Sequence, residues 1–543
     1  MVPSVTDFIR RKPARTASLL LFGIFIVLAL ATFHRYGISN DEEVQQTYGE
    51  MLLRWYGSGF TDRTAFHYRN LYLYGGLFDL IAAGFDPYIP MPIYEWRHLL
   101  TAIVGIIGLF GVWRTTRLLS NEAWGCVAAL LLALTGAWWG TLFNHTKDIS
   151  FASTMIWVTY FMARIAPELP RPRARHIAGL GIALGCSLGL RIVAVYAGIE
   201  MVILLAFAAL TARNGLAGFF RHIALSVFRL LPAGAIAFAI MAVSWPWAVF
   251  KPLNILVAID TFRRFPIDIW TQIAGEKMKA VNVPRWYLPL YVLVREPELA
   301  LIGIALGSVR AVFTTLQRRV DTLRWLRLLP VVLAVAVPIA HALLARPTLY
   351  NGLRHYMFVL PPIAVLAALG LRGAFLFLSE RFGPLPARAF LAACGALALF
   401  HLGTLIELHP YESVAYNSLV GGTPGAVGHY EFDYHGNSIR AVAEELNRRM
   451  IAEEKNHTGD PFYGPPYKVA VCAEQIQADE YLGSLFKVTT NWLSADFFIS
   501  PIQDGCEKAL DGPVIITVER MGTVIGLAKD RREYSRGDKK DPP

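Results

Sequence analysis

The stretch Ala17-Ser-Leu-Leu-Leu-Phe-Gly-Ile-Phe-Ile-Val-Leu-Ala-Leu-Ala-Thr-Phe33-His-Arg-Tyr-Gly-Ile-Ser-Asn-Asp41-Glu42-Glu43 decides the fold. Residues 17–33 carry no charge and just reach the length at which a helix crosses the hydrocarbon of a bilayer. The polar loop behind them sets three acids within about ten residues of the membrane exit, where a carboxylate lies near headgroup depth. Ten more apolar runs follow, at 98–113, 123–139, 149–165, 176–190, 193–210, 226–248, 298–315, 328–345, 356–371 and 388–407. They predict a polytopic α-helical membrane protein with about eleven transmembrane helices, and 176–190 and 193–210 are almost fused. Arg10-Arg11-Lys12 resembles the start of a signal peptide, but no small-residue cleavage site follows, so the first run reads as an uncleaved helix.

Composition agrees with that reading. A chain of 543 residues that is 55% hydrophobic and 17% charged, with mean hydropathy +0.41, is too apolar for a soluble globular protein. The net charge of +10 invites a nucleic-acid reading, which its distribution excludes. Loops on one side carry twenty-one Lys or Arg, and the three short loops on the other carry four: Lys147, Arg191, Arg346 and Arg354. This bias predicts a cytoplasmic N-terminus and an extracytoplasmic C-terminal domain, with membrane lipids rather than nucleic acid facing the basic loops.

The membrane region is read as 1–408, with long outer loops at 34–97 and 249–297. The Phe66-His-Tyr-Arg-Asn-Leu-Tyr-Leu-Tyr-Gly-Gly run predicts an amphipathic helix on the membrane surface. Asn282-Val-Pro-Arg-Trp-Tyr-Leu-Pro suits a re-entrant or interfacial hairpin. Residues 409–543 read as a small α/β domain, with a helix over 436–454 and strands at Lys468, Phe486 and Pro513. The charged end, 529–543, reads as disordered. Cys472 and Cys506 are the two cysteines outside the apolar runs; an oxidising compartment would let them pair, and sequence leaves the pairing open.

Four polar clusters meet the same outer boundary: Asp41-Glu42-Glu43, Asn144-His145-Thr-Lys147-Asp148, Arg191, and Arg354-His355. Each alone has a plainer reading, as loop solvation, a helix start with a dipole-favoured acid, or snorkelling anchors. Together, at one depth, they suit a reaction between a lipid phosphate and a polar acceptor. Cations would hold the phosphate leaving group while a carboxylate takes the acceptor's proton. The sequence contains no Walker loop, dinucleotide-binding glycine fingerprint, nucleophile elbow or zinc-type Cys/His spacing.

The Asp41-Glu42 pair, His145-Thr-Lys147-Asp148-Ile-Ser-Phe-Ala and the eleven-run topology resemble the GT-C glycosyltransferases. The likeness is to the protein O-mannosyltransferase and lipid A aminoarabinose transferase branch. His409-Pro-Tyr-Glu-Ser-Val-Ala-Tyr-Asn-Ser-Leu-Val-Gly-Gly and Glu431-Phe-Asp-Tyr-His-Gly-Asn-Ser are similar to bacterial members, which implies a bacterial inner membrane. Ser150 departs from the proline common among relatives. The resemblance implies a polyprenyl-phosphate sugar donor, inversion at the anomeric carbon, and chemistry on the extracytoplasmic side. By position Asp41 would be the general base, with Glu42 beside it, and Asp148 a second acidic site. Lys147 would face the donor phosphate; depth at the outer boundary, apart from the resemblance, adds Arg191, Arg354 and His355 to it, and His145 would orient an acceptor or a metal. A divalent cation, Mg or Mn, stays open because relatives differ on it. The acceptor, whether glycan, lipid or protein, is not legible. Two other readings share these features: a transporter or flippase for lipid-linked saccharides, and an oligosaccharide polymerase or ligase of the same fold.

Overall fold

The computed structural model describes residues 13–212, 215–263, 267–317, 321–458 and 466–535. Arg10, Arg11, Lys12, Arg213, Arg318 and Arg319 of the basic loops lie outside the described residues, as does 536–543 of the charged end. Each of the eleven apolar runs falls on helix. Among the described residues nine helices are long and apolar enough to cross a membrane. The runs at 123–139 and 176–190 give shorter helices, Glu122–Ala133 and Ala174–Leu188, so length alone supports nine spans and not eleven. The chain is an integral membrane protein.

Burial sorts the spans. In the Thr146–Glu168 and Arg354–Phe382 spans, 78% and 67% of the most apolar stretch is buried, against 17% for Pro13–Arg35 and Gly215–Ser244. The outer helices turn side chains such as Leu20, Val202 and Phe228 outward, where lipid tails would receive them. The two central helices are the ones that begin with the Asp148 and Arg354 clusters. Close packing at the centre depends on glycine: a Cβ on Gly370 would lie 1.8 Å from the Gly303 carbonyl oxygen. Small residues let the Glu298–Leu316 and Leu360–Phe382 helices meet backbone to backbone, as membrane helices commonly do.

Both long loops fold onto the outer end of this bundle, and both depart from the sequence reading. Helices occupy Glu42–Gly57 and Leu77–Phe85, while the 66–76 run contains only short 3₁₀ turns at Thr64–Phe66 and Leu71–Leu73. Phe66, Leu71 and Leu73 point into packed protein instead of lipid, and the run's Tyr and Gly are weak helix formers. In the second loop the hairpin lies upstream of the expected place. β1 (Trp270–Ile273) pairs antiparallel with β2 (Glu276–Lys279) around Ala274-Gly275, both at positive φ, as a tight two-residue turn requires. Residues 282–289 instead end a 3₁₀ turn and open the Tyr287–Arg295 helix.

Residues 409–438 pack back onto the membrane body: Tyr411, Val414 and Phe432 share an apolar cluster with Leu134, Leu405 and Leu408. Beyond them β3 (Tyr467–Val471), β4 (Phe486–Val488), β5 (Phe497–Pro501), β6 (Val514–Arg520) and β7 (Thr523–Asp530) form one mixed sheet in the order β4-β3-β5-β7-β6. The Ile439–Thr458 helix covers it with Ile439, Val442, Leu446 and Met450. Asp433 anchors that helix by accepting the Asn437 and Ser438 N–H groups, each at 2.9 Å. The helix and three expected strands are present; β5 and β7 were not anticipated. Residues 529–535, expected to be disordered, finish β7 and add the short Arg532–Ser535 helix. Cys472 and Cys506 are disulfide-bonded, with Cα atoms 6.3 Å apart.

Candidate active site

The site begins with local chain geometry. Asp41 is the residue before the Glu42–Gly57 helix and has φ 78°, a left-handed conformation that Asp tolerates better than most residues. Its side chain does not cap the helix. Glu42 folds back on the residues before the helix: its carboxylate accepts the Ser39 N–H at 2.8 Å, while the Glu42 N–H returns to the Ser39 carbonyl at 3.3 Å. Glu42 is almost fully buried, with His98 Nε2 3.2 Å from the same carboxylate. Glu42 is thus held by Ser39 and His98, while the Asp41 side chain turns to Arg354.

Asp41 pairs with Arg354, which also reaches Asp148 Oδ2 through Nε at 3.3 Å. Asp148 in turn accepts from Arg191. Four expected residues, far apart in sequence, thus join in one chain of alternating charge. Asp148 is 4% exposed and Asp41 39%, so the array has a dry end and an open end. Burial alone would raise the Asp41 pKa; the Arg354 charge and hydrogen bond, helped by Lys147 and Arg191, hold it below the ordinary value.

Lys147 borders the array and is already engaged. Its Nζ lies 3.4 Å from Asp79, which also accepts Arg97 at 2.9 Å, and it sits between the rings of Tyr48 and Tyr74. Around the site Arg97, Lys147, Arg191 and Arg354 face Asp41, Asp79 and Asp148, and Glu474 adjoins Asp41. Arg191 and Arg354 converge on Asp148, and two guanidiniums side by side suit an anion. His355 stands against Tyr350, with ring centroids 4.6 Å apart, beside Arg354 in the chain.

His145 lies apart from the arginines' hydrogen bonds, 3.6 Å centroid to centroid from His435 of the Glu431–Ser438 segment. All four ring nitrogens of this pair are buried without hydrogen-bond partners. Burial first, then neighbouring positive charge, lowers both pKa values well below the usual histidine range. His145, Asp148 and His435 each offer a ligand atom within 4.8 Å of the others. Two imidazoles and a carboxylate are ligand types that suit a divalent ion such as zinc, although Asp148 already serves two arginines.

Sequence reasoning missed the groups that arrive from distant segments. Asp79 and Arg97 form the buried pair beneath Lys147. Glu431 receives Gln272 N–H at 2.9 Å and the Thr271 hydroxyl at 2.5 Å, tying the β1–β2 hairpin to the C-terminal segment. Asn144 Nδ2 donates to Gly37 O at 3.0 Å, and Ser39 Oγ donates to Asn144 O at 2.8 Å, so the first two clusters are laced together.

Residues 96–247 match the family described as Dolichyl-phosphate-mannose-protein mannosyltransferase, a stretch that includes Asp148 and Arg191 but neither Asp41 nor Arg354. No curated protein sequence matches the chain. Similar solved structures include ArnT from Cupriavidus metallidurans in the apo state, at 13% identity over 95% of this chain and 98% of that one, TM-score 0.48. The same protein bound to undecaprenyl phosphate gives 13% identity, 94% and 98% coverage and TM-score 0.49. Archaeal oligosaccharyltransferase AglB from Archaeoglobus fulgidus, in complex with an inhibitory peptide and a dolichol-phosphate, gives 14%, 94% and 74%, and 0.42. Over residues 96–247, well under half of its length, the chain is similar to the dolichyl-phosphate-mannose-protein mannosyltransferases.

Proposed function

We propose that the chain is an inverting transferase that moves a sugar from a polyprenyl-phosphate donor to a glycan, lipid or protein acceptor on the extracytoplasmic face. The observation that carries this reading is the Asp41–Arg354–Asp148–Arg191 array at the outer ends of the spans. Its two guanidiniums, side by side on Asp148, suit a lipid phosphate, and the matched family's description names dolichyl-phosphate-mannose. The basic loops support this orientation: Arg114, Arg117, Arg164 and Arg327 fall at the opposite ends of the helices.

In this mechanism the donor's phosphate lies against Arg191 and Arg354, with Lys147 and His355 beside them, and its polyprenyl chain runs into the membrane. Asp41, at the open end, draws the proton from the acceptor as that group attacks the anomeric carbon. The guanidiniums take over the negative charge that grows on the phosphate as the bond to the sugar breaks. Asp148 holds both guanidiniums in register. A divalent ion, if bound, would be held by His145, Asp148 and His435 and would add positive charge near the phosphate.

The test is transfer in liposomes from a panel of radiolabelled polyprenyl-phosphate monosaccharides, with a membrane extract as acceptor source. Wild type should release label from its carrier, and Asp41→Asn should release none while reaching normal membrane levels. Full activity in Asp41→Asn would remove the base assignment. Label that crosses the bilayer still attached to its lipid would make the protein a transporter.

A further inference from the structure

Asp41 can draw a proton but is a poor place to leave one, because Arg354 stabilises its ionised form. A second carboxylate reaches the same loop from the other end of the chain. Glu474 Oε2 accepts the Asp41 N–H at 3.3 Å. The segment carrying Glu474 is fixed to that loop at several points. Gln477 accepts the Glu474 N–H at 3.2 Å and donates to Ile38 O at 2.6 Å and His435 O at 2.7 Å. The Tyr481 hydroxyl accepts the Ile38 N–H at 3.3 Å. Two residues before Glu474, Cys472 is bonded to Cys506.

A cavity of about 230 Å³ opens beside this contact. Its walls include Asn40 and Ala473, the chain neighbours of Asp41 and Glu474, together with Asn351, Asp433, Tyr434 and Asp504. It is polar and lies between the loop that carries Asp41 and the C-terminal domain. These are the features an entering acceptor group needs.

We propose that the proton drawn from the acceptor by Asp41 comes to rest on Glu474, so that the C-terminal domain supplies half of the acid–base apparatus. The proposal rests on the glycosyl-transfer reading above. In the step, the acceptor O–H (or N–H) bond breaks and its proton passes through Asp41 to the Glu474 carboxylate. The acceptor atom bonds to the anomeric carbon, the bond from that carbon to the phosphate oxygen breaks, and its electron pair leaves on the lipid phosphate. Glu474 then returns the proton to water through the cavity.

The surroundings of Glu474 tune it for this task. Burial and then the Asp41 charge raise its pKa to about 7; the Asp41 N–H and Arg69 oppose the rise, and Glu43 adds to it. A group with a pKa near the working pH both receives and releases protons readily. Glu474 must be ionised to accept, so activity is present above that pKa and falls as pH drops through it.

The experiment measures kcat/KM against pH for reconstituted wild type, Glu474→Gln and Glu474→Asp, with binding of sugar-free polyprenyl phosphate measured in parallel. Wild type should lose rate on the acid side of about pH 7. Glu474→Gln should be slower by about 10²–10³-fold, within the usual range for proton-transfer catalysis. It should lack the acid limb and still bind polyprenyl phosphate as wild type does. Glu474→Asp should recover part of the rate with the acid limb restored, an outcome that a purely structural role would not give. A Glu474→Gln profile that superimposes on wild type in an active protein overturns this inference alone. Loss of polyprenyl-phosphate binding in both variants also overturns it, by making Glu474 a structural support. Wild type that moves no sugar from any donor overturns the glycosyl-transfer reading and this one with it.

Discussion

Arg354→Gln tests the charge array most directly, because Arg354 is the one side chain that touches both acids. Its Nη2 serves Asp41 and its Nε serves Asp148 at 3.3 Å. The folding cost is bounded by what each acid keeps. Asp148 retains Arg191, and Asp41, with 39% of its side chain open, regains water. Neither becomes an isolated buried charge, so the loss is that of charged hydrogen bonds, about 1.5–3 kcal/mol, and not the 3–5 kcal/mol of a fully broken buried pair. The protein should still reach the membrane. Catalysis should suffer more, because the guanidinium is asked to meet charge that develops on the departing phosphate. Removing one preorganised donor of that kind costs about 10²–10³-fold in kcat, or roughly 2.7–4 kcal/mol. The assay is kcat and KM for transfer from a polyprenyl-phosphate monosaccharide in liposomes, with thermal unfolding in detergent as the control for folding. Arg354→Lys should recover little, since an ammonium cannot span two carboxylates as a guanidinium fork does. A kcat within about threefold of wild type, in a protein of normal stability, would refute the assignment of Arg354 to the leaving group.

Two further substitutions probe the support of the site. Asp79→Asn leaves Arg97 and Lys147 buried with no carboxylate between them. It should cost about 3–5 kcal/mol and be read as a sharp drop in membrane-extracted folded protein; normal levels would mean that water reaches Lys147. Gly140→Ala would put a Cβ 1.9 Å from the Ser413 backbone nitrogen. Backbone cannot yield as a side-chain tip can, so this overpacking should cost at least about 1–3 kcal/mol and lower the unfolding temperature in detergent. An unchanged unfolding temperature would mean that the 412–413 segment is not seated on the membrane body.

The sequence carried the parts of this design that depend on one chain segment at a time. Apolar runs reported helices because hydrocarbon admits little else, and alternating loop charge ordered their ends. That ordering brought Asp41, Asp148, Arg191 and Arg354 to one depth, and the structure joins all four in one array. Depth, however, is only one coordinate. It could not tell that Lys147 is committed to Asp79, because nothing local marks Asp79 as its partner. Glu42 stands beside Asp41 in the chain, yet its carboxylate is taken up by the Ser39 N–H and by His98, and nothing local marks His98 as its partner. The 66–76 and 282–289 segments failed because aromatic and glycine-rich stretches follow the surfaces they pack on more than any period of their own.

The largest gap lay at the C-terminal domain, and the reason is physical. Asn40 donates to Tyr434 O at 2.9 Å, Gln477 to Ile38 O at 2.6 Å, and the Asp41 N–H to Glu474 at 3.3 Å, across separations of about 400 residues. Such contacts leave no periodicity to read. They also change what the domain is. A domain tethered only by its linker could be shaped to any acceptor without disturbing the catalytic loop. One that accepts the N–H of Asp41 itself cannot shift without moving the backbone of the proposed base. On the proposed mechanism, substitutions that loosen the interface at Gln477 should therefore disturb the backbone of Asp41 and lower kcat before they raise KM.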